Sequence, residues 1–169
     1  TIDKDTSKAI LKFQVTEGDR VFIKKVQYAG LKAFTAAQLD KLIKTRRRWW
    51  GSWMSGTGVL KDEQFTEDLD KLRDFYRSHG YIDMEIKTNY VQRVAPKWMV
   101  IHIGIFEGQQ YKVGTVKIEG TKLFPASALS KRLKMVSGQV FTPDGLSKDM
   151  KALEDYYGAR GYLANQVRP

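Results

Sequence analysis

Surface chemistry needs nucleophiles, bases or metal ligands at short range, and this chain is thinly supplied with them. It has no cysteine and only two histidines, His79 and His102. That excludes disulfides, thiolate catalysis, iron–sulfur ligation and any zinc site that needs sulfur. No HExxH pair occurs, and a Ser-His-Asp triad would rest on one of two poorly placed rings. His79 directly precedes Gly80 and is expected to meet a helix C-terminus. His102 alternates with Ile101 and Ile103, which puts it on the other face of a strand. The carboxylates Asp62, Glu63, Glu67, Asp70 and Asp74 read as the acidic first turn and solvated face of a helix, not as an acid–base pair. No catalytic residue, metal ligand or cofactor is assigned, and the chain is not expected to be an enzyme.

The remaining segment with chemical character is Arg46, Arg47, Arg48, Trp49, Trp50 and Trp53. Basic and aromatic residues together suit a membrane interface, single-stranded nucleic acid or packing over a sheet. Three Arg at about 1 kcal/mol each near an anionic surface give about 3 kcal/mol, weaker than a millimolar affinity at about 4 kcal/mol. The segment could therefore orient a tethered protein but not recruit a free one. Gly51, Gly56 and Gly58 make it a connector, since no strand precedes it and no Gly-Lys-Ser/Thr follows.

The elements that carry these residues come from an internal repeat. Val21 to Gly30 aligns with Tyr111 to Gly120, and Lys32-Ala-Phe34 with Lys122-Leu-Phe124, at a constant offset of 90 that puts Gly30 on Gly120. Further on, Phe65, Leu69, Leu72, Tyr76 and Gly80-Tyr81 fall on Leu146, Met150, Leu153, Tyr157 and Gly161-Tyr162, at an offset of 81 that puts Gly80 on Gly161. The extra length of the first copy lies within 45–58. Asp68 has Asp149 as its counterpart, which points to a cap or turn contact and not to solvent. A third echo, Ala9 to Gly18 against Met99 to Gly108, marks the end of a preceding unit. The expected division is 1–18 as that remnant, 19–108 as a complete unit, and 109–169 as a following unit that stops before its last strand.

Each complete unit reads strand, helix, helix, strand, strand. Val21 to Tyr28 alternates as a strand and ends at Gly30. Thr35 with Gln38 is a capping box for a short helix with Leu39, Leu42 and Ile43 as its apolar stripe. Phe65, Leu69, Leu72 and Tyr76 are the core stripe of a longer helix, which Gly80 ends in the left-handed conformation while Tyr81 folds back on the last turn. Thr142-Pro143 and Gly161-Tyr162 repeat this start and stop. Ile82, Met84 and Ile86 then alternate with Asp83, Glu85 and Lys87, and a strand from about Trp98 to Phe106 returns the chain. The fold class is α+β, with a three-stranded mixed sheet and two helices on one face of each unit.

Composition agrees with a folded chain: 169 residues, 42% hydrophobic and 28% charged, with a net charge of +10. The longest apolar run, Trp98-Met99-Val100-Ile101, is far short of the roughly 20 residues of a membrane helix. The excess of cations invites nucleic acid, an anionic surface or an acidic partner.

The element order, with Gly30, Phe34, Leu39, Asp68, Leu72, Tyr76, Gly80-Tyr81 and Glu107-Gly108 and their second-copy counterparts, resembles the POTRA (polypeptide-transport-associated) domain. Tandem units ending in Glu-Gly resemble the periplasmic region of BamA-type outer-membrane assembly factors. The long Trp-rich segment is similar to the third of five units there, which would make the next one the fourth. The resemblance implies a periplasmic scaffold of an outer-membrane protein that receives unfolded outer-membrane proteins, docks accessory assembly lipoproteins and precedes a transmembrane barrel in its parent chain. Gly30, Gly80, Tyr81, Gly120, Gly161 and Tyr162 are expected to be structural.

An open sheet edge can accept an extended client by main-chain pairing largely independent of its sequence. The strand expected to do so is Ile82, Asp83, Met84, Glu85, Ile86, Lys87, Thr88, Asn89, Tyr90 and Val91, which the resemblance puts at the sheet edge. Two alternatives stay open: the POTRA region of another transporter, such as one of two-partner secretion, and a nucleic-acid-binding module that uses the Arg/Trp segment and binds with steep salt dependence. No nucleic acid is expected as partner on the leading reading. Glu107 to Tyr111 leaves two or three residues between successive units, a short tether that restricts rotation.

Overall fold

The computed structural model describes residues 2–3, 8–9, 13–14, 21–45 and 58–169. The Arg/Trp segment 46–53 lies outside the described residues, as does most of 1–18. Within the latter, β1 (Ile2–Asp3) pairs antiparallel with β2 (Lys8–Ala9).

The first unit is a mixed three-stranded sheet. β3 (Phe22–Ala29) runs parallel to β5 (Trp98–Phe106), and β4 (Glu85–Ala95) runs antiparallel to it, in the order β3-β5-β4. Among the described residues β5 is therefore central and both other strands are edges. Along β5, Met99, Ile101, Ile103 and Ile105 are buried against Ile23, Leu39, Leu69, Leu72 and Tyr76. This period-two burial is that of a sheet covered by helices on one face.

Two helices make that cover. α1 (Ala36–Leu39) starts with the full capping box, Gln38 N–H donating to Thr35 Oγ1 and Thr35 N–H to Gln38 Oε1. It is a single turn, shorter than the stripe Leu39, Leu42 and Ile43 predicts. After it, Lys41 and Leu42 N–H bond to Gln38 O and Leu39 O, a tightened turn. The next segment is held by α2 (Asp62–Ser78), whose Asp68 is 1% exposed. Asp68 Oδ2 accepts the main-chain N–H groups of Lys44 at 2.9 Å and Thr45 at 2.7 Å. Lys71 Nζ lies 2.7 Å from the other oxygen. Burial raises the Asp68 pKa, but these donors outweigh it and hold the carboxyl below its usual range.

α2 stops as its sequence requires. Gly80 has φ +85°, its N–H donates to Arg77 O, and Tyr81 N–H donates to Tyr76 O at 3.0 Å, the pair of bonds that closes a helix at a left-handed residue. His79 Nδ1 lies 2.7 Å from Phe75 O, at the helix C-terminus.

In the second unit α3 (Ala126–Ser130) and α4 (Pro143–Gly158) repeat the helical pair. Thr142 caps α4 by accepting Gly145 N–H at 3.0 Å, and Pro143 opens it. Asp149 repeats Asp68, accepting from Lys134 and Met135 N–H. The strand expected over Tyr111 to Gly120 is not formed. Residues 113–119 are irregular; Lys112 bridges Val140, and Val113 exchanges main-chain hydrogen bonds with Gln139 and Gly138. In the first unit β3 bonds to β5 and not to β4, and β5's counterpart is not among residues 109–169.

Candidate edge-strand interface

Among the described residues, β4 is held on one side only. Its register against β5 runs from Glu85 opposite Phe106 to Ala95 opposite Trp98, with irregularities at Lys87 and Val94 that leave Thr88 to Arg93 as an unbroken run. The residues from Lys87 to Val94 are all exposed, as expected of an edge strand beyond the helix layer. Its ends are tied back: Lys87 forms an ion pair with Glu85 and sits 5.3 Å over the Phe106 ring, and Arg93 Nη2 donates to Pro96 O at 2.8 Å.

The predicted edge segment is shifted in the structure. Ile82 and Asp83 form a turn and Met84 is buried, 5% exposed, so these three are not part of the edge. Glu85, Ile86, Lys87, Thr88, Asn89, Tyr90 and Val91 are in the strand, which continues to Ala95. Pairing cannot begin earlier, because Glu85 already faces Phe106, the last residue of β5.

On the helix-free face, Tyr90 stacks on His102 from β5, with ring centroids 4.6 Å apart and planes 8° apart. His102 Nε2 is 3.0 Å from Gln92 Oε1. The alternation of β5 places His102 opposite Ile101 and Ile103, and the sheet register brings it against Tyr90, a pairing with no local signal in sequence.

The displaced Asp83 serves the junction between units. Tyr111 OH donates to Asp83 Oδ2 at 2.6 Å, Tyr111 N–H to Gly80 O at 2.8 Å, and Gln110 Nε2 to His79 O at 3.0 Å. The hydrogen bond to Asp83 raises the Tyr111 phenol pKa. A Cβ on Gly80 would lie 2.5 Å from Val140 Cγ1, so this glycine is needed for close approach of the second unit as well as for its positive φ. Gly161 has the same φ sign but open space around it, and Tyr162 is 42% exposed.

Glu107 ties the sheet to the helices and to the turn after β3. It is 5% exposed, and it accepts Tyr76 OH at 2.8 Å on one oxygen and Ala33 N–H at 2.9 Å on the other. Burial raises its pKa, but the donors, Lys32 N–H and Tyr76 OH foremost, hold the carboxyl below its usual range. Gly30, at φ +86°, packs against the end of β5, where a Cβ would clash with Ile105 O. The sequence marked Glu107 as a repeated residue, its counterpart being Glu17, without revealing its partners.

Among the described residues there is no cluster of three or more His, Asp or Glu that could hold a metal, and no helix is long and apolar enough to cross a membrane. A cleft of about 580 Å³ opens between 113–121 and the helices of the second unit. Leu129, Leu153 and Tyr157 line it, the counterparts of Leu39, Leu72 and Tyr76 that pack under β5 in the first unit, so it is an inner face of the repeat and not a ligand pocket.

Curated relatives are similar to the chain over nearly all its length. It is 31% identical over 165 residues to an outer membrane protein assembly factor BamA of Nitratidesulfovibrio vulgaris, covering 95% of this chain and 21% of that protein. It is 24% identical over 155 residues to the BamA of Neisseria meningitidis serogroup B, covering 90% of this chain and 19% of the relative. The chain thus spans about a fifth of the length of these relatives. The fold is similar to that of Haemophilus influenzae BamA POTRA3-5, with a TM-score of 0.57 at 19% identity over 88% of this chain and 58% of that one. POTRA1-2 of the periplasmic domain of Omp85 from Anabaena matches with a TM-score of 0.51 at 16% identity, over 90% and 88% of the two chains. The family model for POTRA, the surface antigen variable number repeat, matches residues 21–108 and 111–169. With the mixed sheet, the two glycine-stopped helices and the repeat already described, this establishes that the chain belongs to the POTRA family.

Proposed function

We propose that this chain works in the periplasm, as part of a BamA-type assembly factor, and receives extended segments of unfolded outer-membrane proteins as an added strand on β4. It carries out no bond-making chemistry and uses no cofactor; in the parent protein it precedes a transmembrane barrel and offers surface to accessory assembly lipoproteins. The Trp-rich first unit and its neighbour are the third and fourth of the row.

The observation that carries this reading is β4 itself, an 11-residue strand bonded on one side and exposed from Lys87 to Val94. Such an edge presents a row of unpaired N–H and C=O groups to an incoming strand, and main-chain pairing tolerates many client sequences. The names of the similar proteins support the assembly setting. The two histidines have other work: His79 sits on a helix end and His102 under Tyr90.

The test is a titration of the chain with ten-residue strand peptides from outer-membrane proteins, each with an analogue N-methylated on alternate amides, at two salt concentrations beside a single-stranded oligonucleotide. Salt-tolerant peptide binding lost on N-methylation supports the reading. Peptide binding indifferent to N-methylation, or oligonucleotide binding that collapses with salt while the peptides stay silent, would overturn it.

A further inference from the structure

We infer that Tyr90, backed by His102, selects client strands that place an aromatic side chain directly opposite it, and so sets the register of the added strand. The inference rests on edge pairing at β4 and adds to it a side-chain preference.

The argument starts from a distance. Tyr90 and His102 face each other across β4 and β5, and their ring centroids are 4.6 Å apart with planes only 8° from parallel. Neighbouring strands are themselves about 4.7–4.9 Å apart. The two rings therefore stand side by side along the hydrogen-bonding direction of the sheet, as successive rungs of a ladder. Gln27 on β3 occupies the rung on the far side of His102. The next rung beyond Tyr90, one strand spacing out, falls on whatever strand is added to β4.

Tyr90 is prepared to receive it. The residue is 55% exposed, and its backing is held by the contact of His102 with Gln92. It lies within Thr88 to Arg93, the stretch free of register shifts, where an added strand finds regular pairing. Its neighbours on the same face, Thr88 and Gln92, offer no ring. An aromatic on the client therefore gains a stacking partner at this one position, with little ordering cost on the receptor side.

The experiment uses the 169-residue chain and two lysine-flanked peptides of alternating Thr and Val that differ at one central residue, Phe or Ala. The Phe peptide should bind about 2- to 12-fold more tightly, with contacts between its ring and Tyr90 in nuclear Overhauser spectra. Tyr90→Thr, which keeps a strand-forming residue at the edge, should erase the difference between the two peptides; Tyr90→Phe should retain it. Equal binding of the two peptides to the wild-type chain, or a preference that survives Tyr90→Thr, would overturn the selection while leaving edge pairing intact. Failure of both peptides to bind would overturn edge pairing and the selection with it.

Discussion

The bond between Tyr76 and Glu107 joins the longer helix to the end of the central strand, and a double-mutant cycle can weigh it. Tyr76 is 0% exposed and Glu107 5%, with 2.8 Å between the hydroxyl and Oε1. Tyr76→Phe removes a donor to a buried charge, a loss of about 1.5–3 kcal/mol. Glu107→Gln leaves at least one of Tyr76 OH and Ala33 N–H facing an amide nitrogen that cannot accept, at about 1–3 kcal/mol. Because the two changes break one shared interaction, the double variant should fall short of the sum by about 1 kcal/mol or more. With a urea slope of about 1 kcal/mol per M for a unit of this size, each single variant moves the midpoint by about 1–3 M. All four tryptophans lie in the first unit, so tryptophan fluorescence reports its unfolding. The pH dependence follows from the same geometry. The Glu107 carboxyl is held below its usual range in the fold, so its contribution is fully present above the unfolded value of about 4.3 and lost as pH falls through the folded one. Wild type and Glu107→Gln should therefore converge in stability as pH falls from the unfolded value of about 4.3 through the lower folded one. Additive single losses, or singles below about 0.5 kcal/mol, would refute the assignment of Glu107 as the tie between sheet and helices.

Other substitutions test the remaining supports. Gly30→Ala adds left-handed strain and a clash with Ile105 O, together about 2–5 kcal/mol in urea unfolding, whereas Gly120→Ala, with open space around it, should cost only the strain of about 1–2 kcal/mol. Asp68→Ala should destabilise the first unit by about 1–3 kcal/mol, since it removes the one oxygen that accepts both main-chain donors; retained stability would mean that Lys44 and Thr45 find other acceptors. Gly80→Ala and Asp83→Ala should loosen the junction, so that nitrogen-15 relaxation gives the two units separate rotational correlation times; a single shared time in both variants would contradict the contacts described there.

What was legible in the sequence was local. The capping box of Thr35 and Gln38 and the stops at Gly80-Tyr81 and Gly161-Tyr162 depend on residues within six positions of one another, and the repeat doubled each signal. What escaped was set by distant partners. The first helix tightens after one turn into i to i+3 bonds at Lys41 and Leu42, and Asp68, far along the chain, then takes the N–H groups of Lys44 and Thr45. β4 starts at Glu85 and not at Ile82 because β5 ends at Phe106. The Tyr90–His102 stack depends on the register of two strands, and a shift of one residue would put the rings on opposite faces.

The central claim is that β4 is where an extended client joins the sheet. Chemical-shift mapping of the nitrogen-15-labelled chain, titrated with an outer-membrane-protein strand peptide, tests it directly. The account predicts saturable shifts concentrated on the amides of Glu85 to Ala95 and little change at the β3 edge or in the helices. Shifts confined to the Arg46 to Trp53 segment or to the second unit, with β4 silent, would contradict it.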